Sequence, residues 1–132
     1  MVAIPSNVID KINAQDSVKV LCTVDASGQP HSIPAGSIGA AGPDKMLVGE
    51  ILMHKASENL KTAKKASFLI VNKMEAYEIV VDNPVRISEG PMLDELNKML
   101  AAIKLKANAA WLFDVKAVYN QSATPDAGKQ IA

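Results

Sequence analysis

The residues best suited to chemistry lie in one short segment, Gly49 to Asn59, where an apolar strand pattern gives way to a basic helix pattern. A helix start has backbone N–H groups without partners and the positive end of the helix dipole, so it attracts anions. The positive charge of Lys55 is unfavourable beside the positive end of the helix dipole. A bound phosphate would reverse this, because the lysine and the dipole would both attract it. With His54 before it and Ser57 after it, Lys55 indicates a phosphate site and a nucleotide-type cofactor. A solvated lysine on a polar helix face is the competing interpretation.

Gly49 and Glu50 stand at the end of the strand that leads into this helix. Glycine inside a strand is costly unless something approaches its backbone closely, and a flat ring laid against the strand would be one such group. Glu50 is then either a polar contact to that ring or an outward-facing strand residue.

Other kinds of site find little support in the residue types. His31 and His54 are the only histidines, and neither has the neighbouring ligands of a transition-metal site, so no metal is expected. Cys22 is the one cysteine, and its alternating strand pattern predicts a small buried side chain. The sequence contains neither a nucleophile elbow nor a glycine-rich dinucleotide or P-loop motif.

Length and charge limit the possible partners. The 132 residues fit one domain, and the 14 basic and 14 acidic residues balance, so no overall field favours nucleic acid or a membrane. Aromatic residues make up only 4%, which argues against a stacking platform for single strands. The sequence shows neither a membrane-spanning apolar run nor a signal-peptide pattern, so we expect a cytoplasmic protein.

Hydrophobic periodicity and turn residues predict three helices and a majority of strands. Helices are expected at 6–14, 54–65 and from residue 91, and strands at 18–24, 30–37, 45–51, 67–72, 76–82, 85–88 and 110–120. The strand at 18–24 should bury Val18, Val20, Cys22 and Val24, and the last helix Met92, Leu96, Met99, Leu100, Ile103 and Ala107. This order favours a small, mostly antiparallel barrel with a few packed helices, in a single domain over 1–123 followed by a flexible tail at 124–132.

Three segments resemble the pyridoxamine 5′-phosphate oxidase-like, FMN-binding split β-barrel family. They are the hairpin from Val20 to Ser37 with its Asp-Ala-Ser-Gly-Gln-Pro-His turn, the strand-helix unit from Leu47 to Leu60, and the apolar strand from Ser67 to Asn72. Met53-His54-Lys55 followed by Asn59 is similar to the small FMN-binding proteins of this group. The resemblance implies a mainly β, Greek-key-like split barrel that forms homodimers with FMN at the subunit interface.

The resemblance also implies which positions hold the cofactor. The family lysine that contacts the FMN phosphate would be Lys55, next to His54. The hydroxyl residue that often follows is here Ala56, with Ser57 one place later. The end of the second strand would add phosphate contacts from Ser37 and from the backbone of Ala35 and Gly36. The third strand would line the flavin ring through Val48, Gly49 and Glu50, and Trp111 would either reach the partner's cofactor or pack in the core.

These expectations leave more than one function open. The first is an FMN flavoprotein that exchanges hydride or electrons with a nicotinamide or a redox-protein partner, as an oxidoreductase of the flavin reductase kind. The second is a non-enzymatic binder or storage protein for FMN, a deazaflavin or haem. The third is a barrel that has lost its ligand and serves as a structural dimer.

Overall fold

The computed structural model describes residues 1–132 and contains one eight-stranded antiparallel sheet with three helices. The elements in chain order are α1 (Ser6–Asn13), β1 (Val18–Val24), β2 (Pro30–Pro34), β3 (Gly39–Ala40), β4 (Lys45–Glu50), α2 (His54–Thr62), β5 (Lys65–Asn72), β6 (Glu75–Ile87), α3 (Pro91–Ala101), β7 (Ala109–Asn120) and β8 (Lys129–Gln130). The strand order is β2-β1-β5-β6-β7-β4-β3, with β8 paired to β7. The sheet curls into a half-barrel, which confirms the predicted mainly β, mostly antiparallel split barrel.

The long strand β6 bends the sheet. The sequence predicts two strand pieces broken at Asn83-Pro84, but the structure has one strand with a register shift between Asp82 and Val85. Asn83 has a φ of 54°, a left-handed conformation that asparagine tolerates better than most residues. Pro84 follows it at the irregularity, where its missing N–H interrupts no regular ladder. The bend lets β6 pair with β5 through its first half and with β7 along its length.

The inner face of the curled sheet holds the main core, a cluster of 19 buried residues. Phe68 of β5 and Phe113 of β7 pack edge to face at its centre, with ring centroids 5.2 Å apart. Helix α1 contributes Val8 and Ile12, which lie one turn apart on the same helix face. Helix α2 contributes Ala56 and Leu60 by the same spacing.

Helix α3 covers the outer face of β4, β7 and β6 through a second, smaller cluster. Its buried members are Leu93, Leu96, Leu100, Ala107 and Ala110. Gly49 of β4 lies opposite Ala110 of β7, and these two small residues leave room for the helix. Asn97 then ties α3 to the chain leading into β7, because its amide donates to the Ala107 carbonyl at 3.1 Å and accepts from the Ala107 N–H at 2.7 Å.

Strand β1 turns the opposite face inward from the one predicted. Leu21 and Thr23 are buried, whereas Cys22 is only partly buried and lies 3.6 Å from the Ser32 hydroxyl. On this inward face Leu21 joins the main core, and the Asn59 amide donates to the Thr23 hydroxyl at 3.0 Å. The prediction that Cys22 is a fully buried side chain is therefore wrong. Pro34 lies at the end of the edge strand β2.

Helix α3 is shorter and less buried than the sequence predicts. It ends at Ala101, before Ile103, and a turn with Lys104 at a φ of 59° follows. Met99 is 72% exposed and Ile103 65% exposed, whereas Leu93, which was not predicted to be buried, packs against the sheet. Periodicity alone could not show that the sheet beneath α3 accommodates only a narrow apolar stripe.

The end of the chain, where a flexible tail is predicted, is hydrogen-bonded to the sheet at its last residues. β8 pairs with the end of β7, and the Ala132 carbonyl accepts from the Val118 N–H at 2.8 Å. None of the three helices combines the length and the apolar character that crossing a bilayer requires.

Candidate functional site

Two adjoining cavities open where β4 leads into α2. The first, of about 290 Å³, is mostly apolar and contains five of the predicted cofactor residues, namely Ala35, Gly36, Ser37, Val48 and Gly49. The second, of about 360 Å³, is polar and contains three more, namely Glu50, His54 and Ser57. Ile51 and Met53 line both. The structure thus brings eight of the ten predicted residues to one place.

Lys55 lies beside the cavities rather than in them. Its side chain is 57% exposed, and its Nζ is 3.9 Å from Oδ2 of Asp25 in the β1–β2 turn. The Ser27 hydroxyl, the Gln29 N–H and the Ser27 N–H donate to Asp25 and, with Lys55 nearby, hold the pKa of this carboxyl below its usual value. A phosphate at Lys55 would therefore have to compete with an ionised Asp25.

Ala56 turns its side chain away from both cavities. It is fully buried in the main core, so its side chain cannot contact a ligand, and only its backbone N–H remains as a contact. A hydroxyl at this position would also be buried in the core, so the alanine fits this barrel. Ser57 is buried too, and its hydroxyl donates to Glu50 at 2.8 Å.

The segment joining β4 to α2 has an unusual run of backbone donors. The N–H groups of six consecutive residues, Ile51 to Ala56, donate to no other group of the chain, and the helical hydrogen bonds begin with the Ser57 N–H on the Met53 carbonyl. No side chain caps α2. Backbone donors at a helix start and in the turn before it form a favourable site for an anion or for the carbonyl groups of a ligand.

Ser37 and α3 account for the glycine at position 49. The Ser37 hydroxyl accepts from the Gly49 N–H at 3.1 Å and lies 3.3 Å from the Gly49 carbonyl, where β4 extends beyond its short partner β3. A Cβ at Gly49 would lie 3.0 Å from Cδ2 of Leu96 and 3.3 Å from Oγ of Ser37. The close neighbours that this glycine accommodates are therefore protein atoms, and a flat ring against the strand stays a prediction.

Glu50 is the centre of the polar cavity, and the strand register explains why. Val48 and Glu50 share one face of β4, Trp111 lies opposite Val48, and Arg86 of β6 lies opposite Trp111. The Glu50 carboxylate accepts from Arg86 Nε at 3.1 Å and Nη2 at 2.7 Å, and from Trp111 Nε1 at 3.0 Å. With the Ser57 hydroxyl, four donors from three further elements meet on one carboxylate.

These donors fix the charge of Glu50. The Arg86 guanidinium, helped by the Trp111 N–H and the Ser57 hydroxyl, lowers the pKa of Glu50 from 4.5 to about 2, even though partial burial acts to raise it. The carboxylate is only 14% exposed and stays ionised near neutral pH, so it positions its partners and does not transfer protons. Trp111 is buried and uses its one polar atom here, so it belongs to the core.

Arg86 is the functional candidate that the sequence does not reveal. It is the only arginine in the chain, yet its strand segment shows no motif, and only the pairing of β6 with β7 brings it to Glu50. Lys61 and Asn108 also line the polar cavity without having been predicted there. No three His, Cys, Asp or Glu side chains lie close enough together to hold a metal ion.

Solved structures share this architecture at low sequence identity. HupZ from Group A Streptococcus superposes with a TM-score of 0.81 at 22% identity, over 95% of this chain and 99% of that one. A candidate pyridoxamine 5′-phosphate oxidase from Lactobacillus delbrueckii gives 0.73 at 18% identity, over 89% and 93% of the two chains. An FMN-binding protein from Syntrophomonas wolfei gives 0.73 at 17% identity, over 90% and 89%.

Two further solved structures with this fold have other ligands in their names. An F420 reductase matches with a TM-score of 0.64 at 12% identity, over 83% and 94% of the two chains. HutZ, the haem storage protein of Vibrio cholerae, matches at 0.67 and 10% identity, over 92% and 97%. No model of a protein family and no curated protein matches the sequence. The chain has the split β-barrel fold of the pyridoxamine 5′-phosphate oxidase-like, FMN-binding proteins.

Proposed function

We propose that this protein is a flavoprotein that binds FMN at the junction of β4 and α2 and serves in hydride or electron transfer with a nicotinamide or a redox protein. The observation that carries the proposal is the run of six backbone N–H groups without acceptors beside an apolar cavity. A flavin mononucleotide needs both, because it joins a flat, largely apolar ring to a dianionic phosphate. The fold shared with an FMN-binding protein supports the same ligand.

The residues present fit such a molecule. The partly exposed apolar side chains of the cavity, Ile33, Ile51 and Leu52, would hold the ring beside the main chain of β4, while Lys55 and the first N–H groups of α2 would hold the phosphate. A Cβ at Gly36 would meet no atom within 4 Å, so a ligand can approach the backbone there. The Ala35 N–H, by contrast, already donates to the Lys19 carbonyl. When bound, FMN supplies the redox chemistry, and the protein binds it, orients it and limits its contact with water.

The residue types in the apolar cavity favour a flavin over haem. No histidine lines it, and His54 is exposed at the polar cavity next to it. A non-enzymatic FMN binder remains the alternative function, and steady oxidation of NAD(P)H in the presence of an electron acceptor separates the two. Absence of turnover with FMN bound would favour the binder.

We also propose that two copies associate around the cofactor. A cavity of about 290 Å³ is at the lower limit of the roughly 300–1,000 Å³ that small-molecule sites occupy, so one protomer covers only part of a flavin. Three exposed apolar side chains line it, namely Leu52, Ile103 and Leu105. Light scattering should give twice the chain mass of 14.0 kDa, and a monomer at micromolar concentration would contradict the proposal.

Replacing Lys55 by alanine tests the FMN site. Lys55→Ala should weaken FMN binding by about 1.5–3 kcal/mol, the range for hydrogen bonds to charged groups, as measured by quenching of flavin fluorescence. The loss should shrink at high salt, because the lysine is exposed and screened. Lys64→Ala removes an exposed charge just beyond α2 and is the matched control. Equal FMN affinity in Lys55→Ala and the parent would refute the assignment.

A further inference from the structure

Arg86 and Trp111, the only arginine and the only tryptophan of the chain, both donate hydrogen bonds to the Glu50 carboxylate. Glu50 uses the Nε–H and one Nη2–H of Arg86, and Arg86 makes no other side-chain hydrogen bond. Three of the five guanidinium N–H groups therefore have no partner in the chain. The Arg86 side chain is 40% exposed and lines the polar cavity.

The guanidinium is held in one orientation. Glu50 binds it through two roughly parallel contacts, and the carboxylate is itself fixed by the buried Trp111 and Ser57. A planar guanidinium that is already oriented loses little further freedom when it binds a second group, and the guanidinium geometry matches a carboxylate or a phosphate. Arg86 is thus prepared for a ligand rather than merely neutralised.

Each acid that lines the polar cavity with Arg86 is paired with a cation. Glu50 is paired with Arg86, and the other acid in the cavity, Glu58, is paired with Lys61 at 3.2 Å. The remaining polar groups include the backbone N–H groups of Ile51 and Met53, which have no acceptor in the chain. A ligand bearing anionic oxygens would meet unused donors on two sides.

We propose that Arg86 binds a carboxylate or phosphate group of the molecule that exchanges electrons with the bound cofactor, and that Glu50 positions Arg86 for this contact. Binding of the anion stands on the geometry alone, whereas its role in electron exchange depends on the proposed function. The two cavities share Ile51 and Met53, so a molecule anchored at Arg86 would lie beside the proposed flavin ring. Arg86 would then select anionic reaction partners.

Because the chain has one arginine and one tryptophan, a nitrogen-15 NMR spectrum contains one arginine Nε–H and one indole signal from this site. Inorganic phosphate and acetate are titrated separately into the full chain at constant ionic strength. The Arg86 Nε–H signal should move saturably with at least one anion. Movement with phosphate only identifies a phosphate group, and movement with both identifies any anionic oxygen group. A signal that moves with neither anion overturns the proposal.

Two variants separate this site from the cofactor site. Arg86→Lys keeps the charge beside Glu50 but loses the planar group. The affinity for the anion, followed by the indole signal, should therefore fall by about tenfold or more, while the affinity for FMN is unchanged. Lys55→Ala should weaken FMN binding and leave the affinity for the anion unchanged. Lys116→Gln, which breaks an exposed ion pair with Asp82 elsewhere on the sheet, is the control and should alter neither. Loss of FMN affinity in Arg86→Lys would overturn the inference, since Arg86 would then hold the cofactor itself.

Discussion

Replacing Glu50 by glutamine tests the polar network at its centre. In Glu50→Gln the amide oxygen can still accept from Trp111, Ser57 and Arg86 Nε, but the amide N–H₂ cannot accept from Arg86 Nη2, so the variant loses that bond and the charge of the pair. The Glu50 pKa of about 2, against 4.5 without its partners, would correspond to about 3.4 kcal/mol if it were fully transmitted to stability. Arg86 is partly exposed and screened, so we expect the free energy of unfolding to fall by about 1.5–2 kcal/mol at pH 7.

The pH dependence distinguishes this explanation from a packing defect. A lowered pKa in the folded state means that the contribution is complete above pH 4.5 and is lost as the pH falls towards 2. At pH 3 only about two fifths of it remains, because most unfolded chains already carry the proton. The difference between parent and Glu50→Gln should therefore shrink by more than half between pH 7 and pH 3.

Urea unfolding followed by far-ultraviolet circular dichroism at the two pH values measures this difference. Glu58→Gln is the matched control, because its exposed pair with Lys61 should contribute less than about 0.5 kcal/mol at pH 7. An equal loss of free energy in Glu50→Gln at pH 3 and at pH 7 would show that the charge of Glu50 is not the cause.

Two further substitutions test the packing that positions the site. Gly49→Ala should lower the free energy of unfolding in urea by about 1–3 kcal/mol, because its Cβ would lie 3.0 Å from Leu96; Gly36→Ala meets nothing within 4 Å and should show no loss. Asn59→Ala should cost about 1–3 kcal/mol, because it leaves the buried Thr23 hydroxyl without its donor. Adding Thr23→Val should cost little more, since both changes remove one bond, and fully additive losses would contradict this contact.

The strand-to-helix junction was predictable because its signals are local. The strand predicted to end at Ile51 ends one residue earlier, at Glu50, and the helix begins at His54 in both the sequence pattern and the structure. Residue order and turn chemistry therefore placed Lys55 at a helix start. What those signals cannot give is direction in space, and the structure turns Ala56 into the core and Lys55 towards Asp25.

The buried face of β1 and the contacts of Glu50 depend on long-range packing, which local sequence patterns do not contain. In β1 both alternating sets contain apolar residues, so periodicity cannot tell which one is buried, and the structure buries Leu21 together with Thr23, which bonds to Asn59. The Glu50 network is hidden for a similar reason. Arg86 is 36 residues from Glu50 along the chain, and only the order of β4, β7 and β6 brings them together.

The cluster beneath α3 is separate from the 19-residue core and contains only five buried residues. Elements joined to a protein through few buried contacts open independently, at a lower free energy than global unfolding. Amide protons in α3 should thus exchange with solvent through local opening, while those of β5 and β6 should exchange only when the whole barrel unfolds. Since Leu100, Ile103 and Leu105 line the apolar cavity, local opening of α3 and the turn after it would also open the candidate site.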